Sequence, residues 1–369
     1  MPRVLLIIIV TIFFLSSCKK EETPSHQQYQ ETLLVYMIAD NDLYNEAFLD
    51  SYQIAQGLNK GQKVVVYIDA GQGNAKLYEL NQPNMSSIQN HIVKMYSHDD
   101  SANPKVIYET LQEMIRLYPS QNYDLILWSH SNAWFPNIPT RTKSFGYDRG
   151  TTINIDKLVS ALPIKFRTIL FDSCLMGSIE VISELQHNAE YIVAAPTNVL
   201  KEGFYYRDMI PKLLNEKAPI QQRLIDACQQ YIDHYTNQIE PSQQSASISI
   251  YQTAYIPEVE QAFQSIRNHR KEVITSENVL QLDNVYKCYD FHDMLKKNYS
   301  PQDYEKVKSS LKRLIVFHDH TDWFLSKIEL ERSNGISCYI PTRNDNQYFS
   351  YYQTLSWSKH SEYNQAIFP

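Results

Sequence analysis

Apolar residues along this chain occur in short runs that alternate with amphipathic stretches. Residues 33–39, 64–68, 124–128 and 168–171 have the length and the aliphatic and aromatic content of strands that are buried on both faces. Residues 105–118 instead carry apolar side chains at three- and four-residue spacing, as an amphipathic helix does. This alternation predicts βαβ units and an α/β fold with a mostly parallel sheet covered by helices on both faces.

The same pattern predicts the other elements of the main domain. They are helices at 43–57, 152–162, 178–186, 207–215 and 219–237, and strands at 77–80, 92–96, 192–195 and 246–251. After Pro257 the chain becomes mainly helical and charged, and residues 335–341 form a late strand that we expect to return to the sheet edge. We therefore predict a main domain over residues 31–255 and a smaller, mainly helical C-terminal subdomain over residues 256–369.

The N-terminal residues have the features of an export signal. Arg3 precedes an apolar run at residues 4–15, which is shorter than the ~20 residues of a membrane-spanning helix and has the length of a signal-peptide core. Cys18 ends this run after small residues, as in the lipobox of bacterial lipoproteins. We predict a signal peptide at 1–17 and a flexible tether at 18–30, with Cys18 lipidated and the protein held at the outer membrane or cell surface. An ordinary secretory signal with an incidental cysteine is the alternative.

The composition of the chain argues against several classes of protein. The chain of 369 residues carries a net charge of −7, so it has no basic field of the kind that binds nucleic acid. Its five cysteines show no CxxC spacing and no Cys/His ligand array, which argues against a zinc site. They are also too few for a disulfide-built scaffold. We therefore expect no metal and no required cofactor.

Two predicted strands run directly into reactive residues. The strand at 124–128 leads into His130, and the strand at 168–171 leads into Cys174. Ligands of a parallel sheet bind beyond the carboxyl ends of its strands, so both loops should share one rim. An imidazole and the helix predicted from about Ser178 would favour the thiolate, and His130 would then protonate a leaving amine. Backbone N–H groups at Cys174 and just after His130 would bind the oxyanion.

Other chemistry-bearing residues have simpler interpretations. Cys228, Cys288 and Cys338 lie within amphipathic or strand patterns, where a cysteine is usually a small buried apolar residue. Residues 318–322 (HDHTD) suggest a metal site, but an exposed polar loop is the preferred interpretation because no strict ligand geometry is implied.

Five segments in order resemble the clostripain family of cysteine peptidases, which share the caspase-like fold. The segments are LLVYMIADNDL (33–43), YDLILWSHSNAW (123–134), FRTILFDSCLMGSIEV (166–181), YIVAAPTNVLKEGFYY (191–206) and SNGISCYIP (333–341) with the tail containing Trp357. The resemblance covers roughly residues 32 to 369. It implies a caspase-like three-layer sandwich and an endopeptidase that cuts peptides or proteins after Arg or Lys at the P1 position.

Carried over residue by residue, the resemblance implies roles for particular side chains. Cys174 matches the nucleophile, His130 the acid and base, and Asp172 the carboxylate that binds the basic P1 side chain. Glu202 occupies the place of a pocket Asp, whereas Ser131 replaces the glycine that usually follows the histidine and offers an oxyanion N–H. A role of Asp172 in bracing its loop is the alternative. The family includes calcium-dependent members, so calcium is allowed by resemblance.

Two further expectations concern processing and activity. Arg141, Lys143 and Arg149 lie between the two catalytic residues, in an interval where members of the resembled family cut themselves after a basic residue. An ordinary solvated loop is an equally good interpretation. The rival function is a catalytically silent surface lipoprotein that binds peptides or glycoproteins in the same cleft, and Ser131 is the feature that favours it.

Overall fold

The computed structural model describes residues 29–71, 74–81, 88–97, 100–136, 144–270, 272–342 and 345–368. The predicted signal peptide, Cys18 and most of the predicted tether lie outside the described residues. Within the described ranges, no helix combines the length and apolar character needed to cross a membrane.

The elements follow the predicted alternation through the first two thirds of the chain. The strands are β1 (Tyr29–Ile38), β2 (Val64–Asp69), β3 (Lys76–Leu80), β4 (Ile92–Met95), β5 (Ser120–Trp128), β6 (Phe145–Asp148), β7 (Thr151–Ile153), β8 (Phe166–Asp172), β9 (Ala189–Ala194), β10 (Ser247–Gln252), β11 (Gln281–Asp283), β12 (Cys288–Asp290), β13 (Ile315–His320), β14 (Trp323–Phe324), β15 (Ile328–Glu329) and β16 (Ser337–Tyr339). The helices are α1 (Tyr44–Gly57), α2 (Pro104–Leu117), α3 (Ile155–Ser160), α4 (Ile179–Glu184), α5 (Tyr206–Leu213), α6 (Ile220–Thr236), α7 (Ile256–Ile266), α8 (Phe291–Asn298), α9 (Pro301–Leu314), α10 (Asn346–Tyr352), α11 (Ser356–Ser361) and α12 (Tyr363–Ile367). Short 3₁₀ helices occupy Ile88–His91 and Thr253–Tyr255.

The central sheet has the mostly parallel arrangement that the apolar runs predict. Among the described residues its strand order is β13-β10-β9-β8-β5-β1-β2-β3-β4. The five strands from β9 to β2 are parallel to one another. On one side β10 pairs antiparallel with β9 and β13 antiparallel with β10, and on the other side β3 pairs antiparallel with β2 and β4 antiparallel with β3. The carboxyl ends of β1, β5, β8 and β9 therefore lie along one edge of the sheet.

Helices cover both faces of this sheet. Alternate residues of β1 point to opposite faces, so Val35 packs in the cluster that contains α1, α5 and α6, while Tyr36 packs in the cluster that contains α2, α4 and α7. Both side chains are fully buried. The predicted three-layer α/β sandwich is confirmed.

Two predictions about the C-terminal part are wrong in detail. The strand that returns to the central sheet is β13, which pairs antiparallel with β10, and residues 335–341 instead contribute β16 to a small sheet with β11 and β12. Residues 318–320, expected in an exposed polar loop, belong to β13 and are half-buried. Polar residues are tolerated there because β13 is an edge strand, so its pattern lacks the apolar run of a central strand.

The C-terminal residues pack against the segments that carry the predicted catalytic side chains. The ring of Trp134, four residues after His130, lies 4.8 Å from the ring of Tyr352 between centroids. The carboxylate of Glu180, at the start of α4, accepts hydrogen bonds from the Tyr352 hydroxyl at 2.9 Å and from the backbone N–H of Tyr339 at 3.0 Å. We refer to residues 337–342 and 345–363 as the C-terminal brace, because Tyr339 and Tyr352 within these ranges contact the two segments.

Candidate active site

The two predicted catalytic residues follow neighbouring parallel strands at the same level of the sheet. Trp128, the last residue of β5, is in register with Asp172, the last residue of β8. His130 and Cys174 each come two residues later, and both line one cavity of ≈ 220 Å³. The loops after β1 and β9 complete its wall. The sheet thus brings together the two side chains whose proximity was expected from the strand ends.

The nucleophile loop is held by the loop after β9. Backbone N–H of Leu175 donates to the carbonyl of Thr197 at 2.8 Å, and Leu175 adopts the left-handed conformation with φ 62°. The N–H of Val199 donates to the Sγ of Cys174 at 3.3 Å, while the thiol is 3.6 Å from the Val199 carbonyl. Both contacts orient the sulfur toward the cavity wall formed by the β9 loop.

The thiol of Cys174 is not activated by its surroundings in the way the sequence suggested. Its pKa is raised to about 11, mainly by burial and to a smaller extent by the nearby carboxylates of Asp172 and Asp283, while the hydrogen bond from the Val199 N–H acts in the opposite direction. The expected helix, α4, has only six residues and begins at Ile179, five residues beyond the sulfur. Removal of the thiol proton therefore depends on a base in the cavity.

His130 contacts a carboxylate that the sequence analysis did not single out. Its Nε2 lies 2.8 Å from Oδ1 of Asp42, in the loop between β1 and α1. The His130 side chain is 28% exposed and that of Asp42 is 73% exposed, so the pair lies at the cavity mouth. The carboxylate can therefore orient the imidazole ring.

Ser131 links the loop that carries His130 to the loop that carries Cys174. Its buried hydroxyl donates a hydrogen bond to the carbonyl oxygen of Cys174. Two backbone hydrogen bonds flank Ser131: the Asn132 N–H donates to the Ser144 carbonyl, and the Gly146 N–H donates to the His130 carbonyl. Neither of these bonds uses the Ser131 N–H. Ser131 is not among the described residues with positive φ, so its backbone conformation does not require glycine.

Asp172 is a buried carboxylate at the cavity wall. It is 4% exposed, and its Oδ2 accepts hydrogen bonds from the Phe204 N–H at 3.0 Å and the Tyr206 hydroxyl at 2.8 Å. Burial raises its pKa to about 6, although both donors act in the opposite direction. A Cβ at Gly203 would lie 2.7 Å from the same oxygen, and Gly203 has φ +60°, so this position of the β9 loop suits glycine.

Helix α1 directs acidic side chains toward the same cavity. Asp50, nearly buried, accepts a hydrogen bond from the indole Nε1 of Trp128 at 2.9 Å, and burial together with the charge of Asp172 raises the pKa of Asp50 well above its usual value. Glu46 forms an ion pair with Lys201 at 2.8 Å. Glu46 and Asp50 lie four residues apart on α1, and Asp42 precedes the helix by two residues. This spacing is visible in the sequence, but it does not show that Asp42 lies beside His130.

The remaining predicted site residues lie apart from this cavity. Glu202 is exposed and does not line the cavity, although Lys201 and Gly203 on either side of it do. Arg149 lies in the turn between β6 and β7 and forms an ion pair with Asp40. Arg141 and Lys143 lie outside the described residues.

The described residues contain neither a cluster of metal ligands nor a disulfide bond. No group of three or more His, Cys, Asp or Glu side chains in the described ranges is arranged to hold a metal ion. His318, part of the suggested metal motif, contacts the Ser249 hydroxyl at 2.9 Å, and burial lowers its pKa to about 4. The described cysteines are free thiols. A calcium requirement stays a prediction from resemblance.

Comparisons with known proteins agree with this architecture. A secreted C11 cysteine protease from Bacteroides thetaiotaomicron, solved with an irreversible peptide inhibitor, is 22% identical with a TM-score of 0.78, covering 91% of this chain and 99% of its own. An inactive zymogen C11 protease from Parabacteroides distasonis is 21% identical with a TM-score of 0.77, covering 90% of this chain and 98% of its own. No match was found among curated proteins. The sequence model of the clostripain family, peptidase family C11, matches residues 35–367, and this chain therefore belongs to the clostripain family.

Proposed function

We propose that this protein is an exported cysteine endopeptidase that cleaves peptide bonds after Arg or Lys, with Cys174 as nucleophile and His130 as acid and base. The observation that carries the proposal is one cavity that presents both of these side chains together with the buried carboxylate of Asp172. The family supplies the reaction class, and the cavity supplies the residues that would perform it.

The reaction follows from the groups in the cavity. His130 takes the proton from Sγ of Cys174, and the thiolate attacks the substrate carbonyl carbon, so that a C–S bond forms and the carbonyl electron pair moves to oxygen. The backbone N–H groups of Ser131 and Cys174 are the proposed donors to that oxyanion. The imidazolium then protonates the amine as the C–N bond breaks, which leaves an acyl-enzyme. Water, deprotonated by His130, hydrolyses the acyl-enzyme and releases the thiol.

Selectivity for a basic P1 side chain is supported by the charge state of Asp172. The two donors that Asp172 accepts from, the Phe204 N–H and the Tyr206 hydroxyl, are neutral, so neither balances a negative charge. A guanidinium or ammonium entering the cavity would supply that charge and stabilise the ionised carboxylate. Glu202 is proposed to add attraction at the rim, since it is exposed next to cavity-lining residues.

Export and anchoring are part of the same proposal. Cys18 follows a short apolar run, and we propose that it is lipidated and holds the enzyme at the outer membrane or cell surface. One structural neighbour is described as a secreted protease, which is compatible with work outside the cytoplasm. Replacement of Cys18 by Ala would then release the protein from membranes or leave it unprocessed.

Self-cleavage between His130 and Cys174 is a further element of the proposal. The neighbour from Parabacteroides distasonis is described as an inactive zymogen. Arg141 and Lys143 are the preferred positions here, because the Arg149 side chain is engaged with Asp40 and its backbone lies in a hairpin turn. Purified wild-type protein should contain two fragments produced by cleavage after one of these residues, and the Cys174→Ala variant should remain a single chain.

Active-site labelling tests the central assignment. Wild type, Cys174→Ala and Cys228→Ala are incubated with lysyl and arginyl acyloxymethylketones and with matching amide substrates. Cys228 is a suitable thiol control because it is buried on α6 and does not line the cavity. Wild type and Cys228→Ala should be labelled and should hydrolyse the substrates, whereas Cys174→Ala should do neither.

Two outcomes would contradict the proposal. Full activity of Cys174→Ala would show that the nucleophile is misassigned. Folded wild-type protein that binds peptides but is neither labelled nor active would favour the silent binding protein instead.

A further inference from the structure

Three acidic residues, two on α1 and Asp42 in the loop just before it, contact side chains that line the cavity, and the proposed reaction has not used the contact made by Asp42. Asp42, Glu46 and Asp50 each touch a different cavity-lining side chain, namely His130, Lys201 and Trp128 respectively. Glu46 and Asp50 contact groups that form the cavity wall. Asp42 differs from them because its partner is the proposed acid and base.

The Asp42 contact determines which nitrogen of His130 is available to the thiol. When a neutral imidazole donates Nε2–H to a carboxylate, its Nδ1 carries no proton and is the basic atom. The 2.8 Å separation between Nε2 and Oδ1 of Asp42 is that of such a hydrogen bond. The ring would then present Nδ1 as the acceptor for the proton of Cys174.

The position of Asp42 is set by the fold rather than by chance contact. Asn41, the preceding residue, donates its amide to the carbonyls of Ile38 at 3.1 Å and Tyr147 at 2.6 Å, and its Oδ1 accepts the Leu43 N–H at 2.8 Å. The turn that carries Asp42 is therefore fixed to the end of β1 and to β6. Because β1 neighbours β5 in the sheet, this turn lies beside the His130 loop.

The charges around Cys174 and His130 oppose formation of the thiolate, so a carboxylate beside His130 would assist the proton transfer. Asp172 and Asp283 disfavour the thiolate of Cys174, and Lys201 at the cavity wall is already paired with Glu46. Proton transfer from sulfur creates an imidazolium on His130, and Asp42 is the acidic group in contact with that ring. A carboxylate there stabilises the charged pair relative to the neutral one.

We propose that Asp42 is a positioning residue that completes a Cys174–His130–Asp42 triad, holding the imidazole so that Nδ1 serves the thiol and stabilising the imidazolium that forms. This inference rests on the proposed peptidase function and deepens it. Because Asp42 is 73% exposed, water screens its charge, and we expect loss of the side chain to lower kcat by roughly 10- to 100-fold, far less than loss of the nucleophile.

The test compares Asp42→Ala, Asp42→Asn and Asp208→Ala. Asp208 is a matched control because it is an exposed aspartate on α5 that does not line the cavity. Asp42→Ala should lower kcat with little change in KM, and should shift the pH profile of Cys174 alkylation by iodoacetamide to higher pH. Asp42→Asn keeps an oxygen acceptor and should recover part of kcat, and Asp208→Ala should match wild type.

Two results would overturn the inference. An Asp42→Ala protein with wild-type kcat and an unchanged alkylation profile would show that the contact has no catalytic role. A more active Asp42→Ala would show that Asp42 holds His130 away from the thiol. Alkylation needs no substrate, so it decides the role of Asp42 even if wild type fails on Arg and Lys substrates, the outcome that would instead reject the proposed function.

Discussion

The proposed P1 role of Asp172 depends on the burial of its carboxyl group. Its carboxylate is buried among neutral donors, and burial raises its pKa to about 6. An approaching cation offsets the cost of ionising it, whereas a neutral side chain does not. If Asp172 lines the P1 pocket as proposed, its buried carboxylate favours a basic side chain over an apolar one.

Replacing Asp172 with Asn should separate charge from shape. We expect the transition-state free energy for Arg and Lys substrates, calculated from kcat/KM, to rise by about 2–4 kcal/mol, since the cation would be buried without its partner. A norleucine substrate should be little affected. Steady-state kinetics on the three matched peptides measure this. Equal losses on all three, or a wild-type preference for Asp or large apolar residues, would indicate that Asp172 braces its loop instead.

Ser131 is the residue at which this chain departs from the usual glycine of its family, and its hydroxyl has a partner. It donates to the Cys174 carbonyl, so the departure adds a link between the two catalytic loops. Ser131→Ala should leave that carbonyl without its donor and cost about 1 kcal/mol of stability, together with a several-fold lower kcat.

Ser131→Gly provides the matched comparison. It removes the same hydrogen bond and adds backbone freedom, so its kcat should be at or below that of Ser131→Ala. Thermal unfolding and kinetics on one substrate measure both variants. A glycine variant that is faster than wild type would show that the serine restrains the oxyanion donor rather than positioning it.

At the scale of elements, the C-terminal brace connects to the catalytic loops through Glu180. This carboxyl group is fully buried and accepts hydrogen bonds from β16 and α10. Burial raises its pKa to about 7. An acid whose pKa is higher in the folded state binds protons more tightly there, so its contribution to stability is present below about pH 4.5 and is lost as pH rises through 7.

Glu180→Gln should remove this pH dependence. The stability of wild type relative to the variant should fall by roughly 2–3 kcal/mol between pH 5 and pH 8, because glutamine does not titrate. Urea unfolding at four pH values measures the difference, with the exposed Glu216→Gln as a control that should stay constant relative to wild type. If the stability of wild type relative to Glu180→Gln stays constant or increases as pH rises, the Glu180 carboxyl group is ionised in the folded protein.

The elements that sequence alone predicted well are those whose burial is uniform. β5 and β8 are central strands, so their apolar runs were visible, and the residues after them followed as candidate catalytic groups. β13 was missed because an edge strand need not be apolar. The Asp42–His130 contact was missed for another reason: it depends on β1 lying beside β5, and strand order is not written in local patterns.

For the whole molecule, the central sheet was predictable from local sequence patterns, whereas the arrangement of the C-terminal part was not. The three layers and the mostly parallel sheet follow from the periodicity of apolar residues and the composition of each segment, which are local properties of the chain. The placement of residues after 256 depends on contacts between distant segments, such as β13 on β10 and β16 beside α4. Side chains on α7, α9 and α11 share a hydrophobic cluster with the central sheet, so these helices extend its core.

The Glu180–Tyr352 hydrogen bond spans 172 residues, and this separation has a consequence for biosynthesis. A nascent chain emerges from the ribosome with His130 and Cys174 long before Tyr352, and closing contacts of such separation is slow. Both catalytic loops are therefore made well before the segment that braces them. A growing chain carries Cys174 before the Glu180–Tyr352 hydrogen bond can form, and the C-terminal brace can pack against α4 only after Tyr352 has been synthesised.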